Sequence, residues 1–333
     1  MSNTAPHSGL RVALAGEALI DLIATQQGSY IPCLGGAVYN LARALARQAV
    51  GALYLNPLSH DRFGRSLASQ LNADGVTLAQ PDPVQAVTSL AVVNLDETGH
   101  PSYAFYREGV ADRQISANGL NALCQQHPEL DAVCTGALAL DARDQAVYVP
   151  WIAHQRSLGK CIVVDANLRP SVMPDLSAYR QNIETFLRMA DILKVSDEDL
   201  AHLGIPGSDP LEQARHLLER SPAQLIALTL GARGAWLITR HTGEHFVKEP
   251  YPITVADTVG AGDSFLAGLL AALLHSTNGA QTLRHRLQQL TAHDSVTLLQ
   301  HAVASASLCV QQQGCVPPSW EDASEWRTQR FFD

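Results

Sequence analysis

Beyond residue 130 the chain alternates short apolar runs with helical patterns, and this rhythm limits the fold more than any other feature. Asp131 to Thr135, Cys161 to Asp165, Ile192 to Val195 and Gln224 to Thr229 read as strands. The helical patterns around Gln145 to Leu158, Tyr179 to Met189 and Leu211 to Leu218 stand between them. Strands alternating with helical patterns of about 10 to 15 residues imply right-handed βαβ units on a parallel sheet. The N-terminal part has strands at Arg11 to Ala15, Leu19 to Ala24 (more exposed) and Ala52 to Leu55, with helices at Tyr39 to Gln48 and Phe63 to Leu71. The expected architecture is doubly wound α/β, a mainly parallel sheet with helices on both faces. No internal repeat or low-complexity linker interrupts it, so a single domain over residues 1–333 is expected.

The stretch from Thr88 to Arg107 breaks the rhythm. Ser89 to Leu95 and Tyr103 to Arg107 flank Asp96-Glu97-Thr98-Gly99, a hairpin signature. A small β-flap, or lid, outside the main sheet is expected from about residues 17–33 and 86–112.

Charge and composition exclude several classes. With 23 Lys+Arg against 32 Asp+Glu the formal net charge is −9, and no basic run of about five to eight residues is present. Nucleic acid is therefore not an expected partner, and Arg284-His285-Arg286 reads as a solvated helix face. Met1 to Leu10 has neither the charged nor the apolar region of a secretory signal. The longest apolar run, Phe265 to Leu274, is too short to span a bilayer, so no membrane is expected and the location is expected to be cytoplasmic. Cys33, Cys124, Cys134, Cys161, Cys309 and Cys315 form no C-x-x-C pair and read as reduced thiols. His241 and His245 enclose Thr242-Gly243-Glu244, which does not spell a zinc-binding helix.

Open α/β sheets bind ligands outside the carboxyl ends of their strands. Asp165 to Arg169, Ser196 to Asp199 and Gly231 to Gly234 occupy such positions. The most informative segment is Asp257-Thr258-Val259-Gly260-Ala261-Gly262-Asp263, which runs into the apolar helix starting at Ser264. Small residues at Gly260, Ala261 and Gly262 leave amides free at a helix N-terminus, a natural site for phosphate. Asp263 beside that phosphate could act as general base towards a hydroxyl, or it could be an ordinary helix N-cap. No G-x-x-x-x-G-K-[ST] segment is present, so a P-loop is excluded. No G-x-G-x-x-G follows the first strand, which argues against a dehydrogenase.

The 257–263 segment, together with Gly35-Gly36-Ala37-Val38-Tyr39-Asn40 and the residues up to Arg47, resembles the two signatures of the PfkB/ribokinase family of sugar kinases. The resemblance runs from about Val12 to Pro318, and within the family the chain looks most like bacterial fructokinases. It implies a ribokinase-like fold and transfer of the γ-phosphoryl group of ATP, with Mg2+ and with K+ as the candidate monovalent cation, to a primary hydroxyl of a small sugar.

By that resemblance Asp263 is the base and the amides of Gly260, Ala261 and Gly262 are the anion hole. Asp257 corresponds to a monovalent-cation residue, or is a turn carboxylate. The sugar side maps onto Asp21, Gly35, Gly36 and Asn40, with Tyr106, Arg107 and Arg169 as further candidates. Asn40 could instead be a helix-surface residue, and Arg107 a solvated strand end. The ATP side maps onto Asn167, Lys194, Thr229, Gly231, Gly234 and Gly262, with Asp199 reaching Mg2+ through water. Ser196 stands where the family usually has Asn, and Arg233 faces either a phosphate or water. Fructose is the first substrate expected. A kinase for 2-keto-3-deoxygluconate, a nucleoside kinase and a non-catalytic sugar sensor are the alternatives. A homodimer through the lid is expected because hairpin edges are left unpaired.

Overall fold

The computed structural model describes residues 9–25, 27–95, 101–277 and 282–331. Residues 1–8, nearly all of the segment read for a secretory signal, and the Asp96-Glu97-Thr98-Gly99 turn lie outside the described residues.

The chain opens with β1 (Leu10–Leu14), β2 (Leu19–Ala24), β3 (Tyr30–Gly35), α1 (Ala37–Arg47), β4 (Gly51–Tyr54), α2 (Arg62–Ala73) and β5 (Thr77–Leu78). Next come β6 (Ser89–Leu95) and β7 (Pro101–Tyr106), then α3 (Ala117–Gln125), β8 (Ala132–Gly136), α4 (Gln145–Ser157), β9 (Cys161–Asp165) and α5 (Leu176–Leu187). After these stand β10 (Ile192–Ser196), α6 (Asp197–Leu203), α7 (Pro210–Arg220), β11 (Leu225–Thr229), β12 (Ala235–Thr239) and β13 (Gly243–Val247). The chain closes with α8 (Ala261–His275), α9 (Leu283–Gln288), α10 (Ala292–Cys309) and α11 (Trp320–Phe331).

Nine strands form the main sheet in the order β13-β12-β11-β10-β9-β8-β1-β4-β5. The pairings from β5 across to β11 are parallel, and β12 and β13 add an antiparallel edge. The doubly wound reading of the sequence therefore holds. Successive side chains of a strand face opposite sides of the sheet, and β1 shows the result. Val12 and Leu14 enter a core shared with α1, α8 and α10, whereas Ala13 and Ala15 enter a second core shared with α4, α5 and α7.

A second sheet, ordered β3-β2-β6-β7, stands apart from the first. Its two outer strands are paired antiparallel and its two central strands parallel. The hairpin strand begins at Pro101 instead of Tyr103 and ends at Tyr106. Strand β3 belongs to the part of the lid expected at about residues 17–33, where the sequence marks no second strand; Pro32 argues against an interior strand, and β3 accommodates it by lying at the sheet edge.

Helix α8 is apolar on every side, as AGDSFLAGLLAALLH requires, and it is packed between α1 and α10. That burial fixes its first turn. Whatever the first turn presents is held rigidly at the carboxyl ends of the central strands.

Candidate active site

The N-cap of α8 is Gly260, in a left-handed conformation with φ 77°, and no side chain caps the helix. Asp263 is therefore not the cap that one reading of the sequence allowed. It is the third residue of the helix and is 7% exposed. The amide of Ala261 donates to the Thr258 carbonyl at 3.3 Å, which braces the turn. The amides of Gly262 and Asp263 lie too early in the helix to find an acceptor four residues back, so they and the helix dipole face outward.

Helix α1 delivers Asn40 to the same place. Asn40 is buried, which sets aside the helix-surface reading, and its side chain lies beside the Asp263 carboxyl and favours its ionised form. Burial, reinforced by the charge of Asp165, pushes the Asp263 carboxyl up from 3.8 to about 7, while Lys194 and Asn40 draw it down.

The start of α1 depends on a residue to which the sequence reading gave no role. Glu17 follows β1, and its Oε1 accepts the Ala37 amide at 3.0 Å, while its Oε2 is buried without a partner among the described residues. Desolvation pushes the Glu17 carboxyl up to about 7, against the pull of Arg107. Gly36, the N-cap of α1, has φ 109°, and a Cβ there would sit 2.7 Å from the Glu17 carbonyl oxygen. Only glycine lets the chain turn this closely.

Asp21 projects from β2, and its Oδ2 lies 2.1 Å from where a Cβ on Gly35 would stand. The missing side chain lets the carboxylate fold against the entry to α1. Burial pushes Asp21 up to about 6, and the charge of Arg169 opposes that shift. Asp21, Gly35, Gly36, Asn40 and Asp263 thus converge on one side of the α8 turn.

On the other side lies a cleft of about 730 Å³ lined by Thr229, Gly231, Gly234, Ala261 and Gly262, with an apolar wall that includes Phe265 and Val303. A flat base suits the apolar wall, and the α8 turn lies where its phosphates would reach. Four of the six residues expected on the ATP side line this cleft.

The other two do not. Lys194 is buried under Gly262, where its Nζ donates to Asp165 Oδ1 at 3.0 Å and Oδ2 at 3.2 Å. Asn167 stands outside the cleft wall, in a left-handed conformation with φ 36°. The Arg169 guanidinium curls back onto the carbonyls of Asn167 (3.1 Å) and Leu168 (2.9 Å) while its charge faces Asp21.

Arg107 is not the solvated strand end that one reading of the sequence allowed. It is 5% exposed and pairs with Asp144 at 3.5 Å, Asp141 at 3.8 Å and the Leu138 carbonyl at 3.3 Å. These partners tie the end of the small sheet to the segment after β8. Tyr106 is 62% exposed.

Ser196 has a plain structural duty: its hydroxyl caps α6 by accepting the Asp199 amide at 3.0 Å. Asp199 returns the bond to the Ser196 amide at 2.8 Å and also accepts the Leu168 amide at 2.7 Å. Arg233 pairs with Asp197. The Asp257 carboxylate accepts the amides of Val259 at 3.0 Å and Gly314 at 2.9 Å, joining the loop before α8 to the loop after α10.

The sequence model of the pfkB family carbohydrate kinases matches residues 10–322. A fructokinase of Rhizobium leguminosarum bv. trifolii is 32% identical over 267 residues, 79% of this chain and 79% of the relative. The crystal structure of fructokinase with bound ATP from Xylella fastidiosa is similar with a TM-score of 0.83 at 26% identity, covering 96% of this chain and 98% of the other. Fructokinase from Vibrio cholerae O395, in its fructose, ADP and calcium ion bound form, is similar with a TM-score of 0.76 at 26% identity, covering 95% and 98%.

Proposed function

The chain belongs to the pfkB family of carbohydrate kinases and is an ATP-dependent sugar kinase; from that premise we propose that its acceptor is fructose and that Asp263 is the catalytic base. One observation carries the reading. Asp263 is buried at the start of α8, beside Asn40, with the Asp21 and Gly35-Gly36 cluster on one side and the cleft holding Gly262 on the other.

In this reading ATP lies in the cleft between Thr229 and Phe265, with its γ-phosphoryl group at the α8 turn. Asp21, Asn40 and the backbone at Gly35-Gly36 orient the sugar. Asp263 takes the proton of a primary hydroxyl as that oxygen attacks phosphorus, and the ADP oxygen leaves. A carboxyl held near pH 7 is matched to this task, being substantially ionised yet basic enough to accept the proton. The outward amides and the dipole of α8 stabilise the charge on the equatorial oxygens. Phosphoryl transfer asks chiefly for such positioning and charge.

A bound Mg2+ would supply charge neutralisation at the phosphates of ATP. Among the described residues no cluster of three or more His, Cys, Asp or Glu is set to hold a metal, which suits an ion carried by phosphates and water. Asp199 keeps a second lone pair on each oxygen and would take up one of that ion's waters. Asp257, whose carboxylate accepts two backbone amides and pairs with no cation among the described residues, would hold a monovalent ion such as K+.

A sugar acid would need a cation in the pocket. Arg107 is committed to Asp141 and Asp144, and Arg169 already faces Asp21. This favours fructose over 2-keto-3-deoxygluconate. The small sheet is proposed to act as a lid over the sugar, within a single domain. Ile31, 55% exposed on edge strand β3, is proposed to pair two copies through that sheet. Among the described residues no helix is long and apolar enough to cross a membrane, and dependence on ATP suits a cytoplasmic enzyme.

The test is ADP release from MgATP with fructose, 2-keto-3-deoxygluconate, ribose and adenosine, with and without K+. Turnover with fructose above the others supports the assignment. Preference for another sugar replaces the substrate, and sugar binding without turnover supports a sensor.

A further inference from the structure

The pair Lys194 and Asp165 has no part in the chemistry above, although both residues are 5% exposed and stand at the foot of the α8 turn. The two residues face each other in register on β10 and β9. With Asp165 accepting through both oxygens, the ammonium is fixed in place. It stands 2.9 Å from the point a Cβ on Gly262 would occupy, so the turn rests directly on it. Asp165, Asp199 and Asp263, in that order of strength, all act on this one cation.

Taking such a pair out of water costs about as much as its attraction returns, and an apolar pair would serve stability equally well. What an apolar pair lacks is a positive charge below Gly262. Resting on the kinase reading, we propose that Lys194 is a positioning residue for phosphoryl transfer: clamped by Asp165, its ammonium supports the Gly260–Gly262 turn and supplies the positive charge beside Asp263.

Five groups face the Asp263 carboxyl from the elements packed around it. Asp165 on β9 and Glu17 after β1 oppose its ionisation, Lys194 on β10 and Asn40 on α1 favour it, and Cys315 after α10 lies close by. Removing Lys194 alone leaves both opposing carboxylates. Removing Lys194 and Asp165 together removes one influence of each sign.

The experiment measures ADP release at saturating MgATP and sugar from about pH 5.5 to 9 for the parent, Lys194→Met and the double variant Asp165→Asn/Lys194→Met. Lys194→Met is expected to move the acid limb of kcat up by about one pH unit and to lower kcat at pH 7 about tenfold, with KM for the sugar changed less than about threefold. The double variant is expected to return the limb towards its parental position while the plateau stays lowered, because the turn has lost its support. A purely structural role would change the amount of folded enzyme without moving the limb. Folded Lys194→Met with parental limb and plateau overturns the proposal. Should Lys194→Met fail to fold, a parental plateau in the double variant overturns it. An inactive parent, or an active Asp263→Asn variant, is a failure of the kinase reading itself and removes this proposal with it.

Discussion

The Asn40 side chain on α1 lies beside the Asp263 carboxyl on α8, although 223 positions separate them. The Asn40 amide favours the ionised form of the carboxyl, while its own Oδ1 is buried without a partner among the described residues. That spare acceptor fits a substrate hydroxyl. Asn40→Ala is expected to lower kcat/KM about ten- to hundredfold, through loss of the substrate contact and of the support for the ionised Asp263, and to move the acid limb of the rate upward. Steady-state kinetics across pH checks both parts.

Glu17 gives a stability prediction whose sign follows from its buried carboxyl. Its pKa in the folded protein, about 7, lies above the ordinary 4.5. The stability this group contributes is fully present below about pH 4.5 and is lost as pH rises through about 7. Glu17→Gln keeps an acceptor for the Ala37 amide and removes the ionisation. It is therefore expected to raise Tm at pH 8 by a few degrees and to leave it nearly unchanged at pH 4.5. Thermal unfolding at the two pH values decides.

Arg107 holds buried charges together. Substituting Ala leaves Asp141 without one of its two arginine partners and Asp144 likewise, in surroundings that hydrate neither. Loss of about 3 to 5 kcal/mol is expected, read from the denaturant midpoint. A loss below about 1 kcal/mol contradicts the assigned role.

The legible and the illegible parts of this chain divide by distance in sequence. Apolar runs alternating with helical patterns are local, and so are the glycines before α8, so the parallel sheet and the turn at Gly260 could be read directly. Arg107 could not be placed, because its partners lie 34 and 37 positions away on a different sheet's connections. Lys194 looked like a nucleotide ligand for the same reason: nothing near it in sequence says that Asp165 faces it in register. Glu17 is illegible in the sequence because its role arises only where the chain after β1 meets the start of α1. Ser196, by contrast, had a readable role in the Ser196-to-Asp199 spacing of a capping box.

Ile31 is 55% exposed on β3, an outer strand of the small sheet, and is the apolar residue on which the proposed pairing of two copies most depends. Ile31→Glu is expected to shift the protein from dimer to monomer in light scattering. A monomeric parent, or a dimeric variant, contradicts that pairing.

The most direct test of the account replaces Asp263 with Asn, which keeps the size and the start of α8 but removes the base. With MgATP and fructose, ADP release by Asp263→Asn is expected to fall by about a hundredfold or more relative to the parent, with the protein folded and at least as stable above pH 7. A folded Asp263→Asn variant within a few-fold of parental turnover contradicts the assignment of the base.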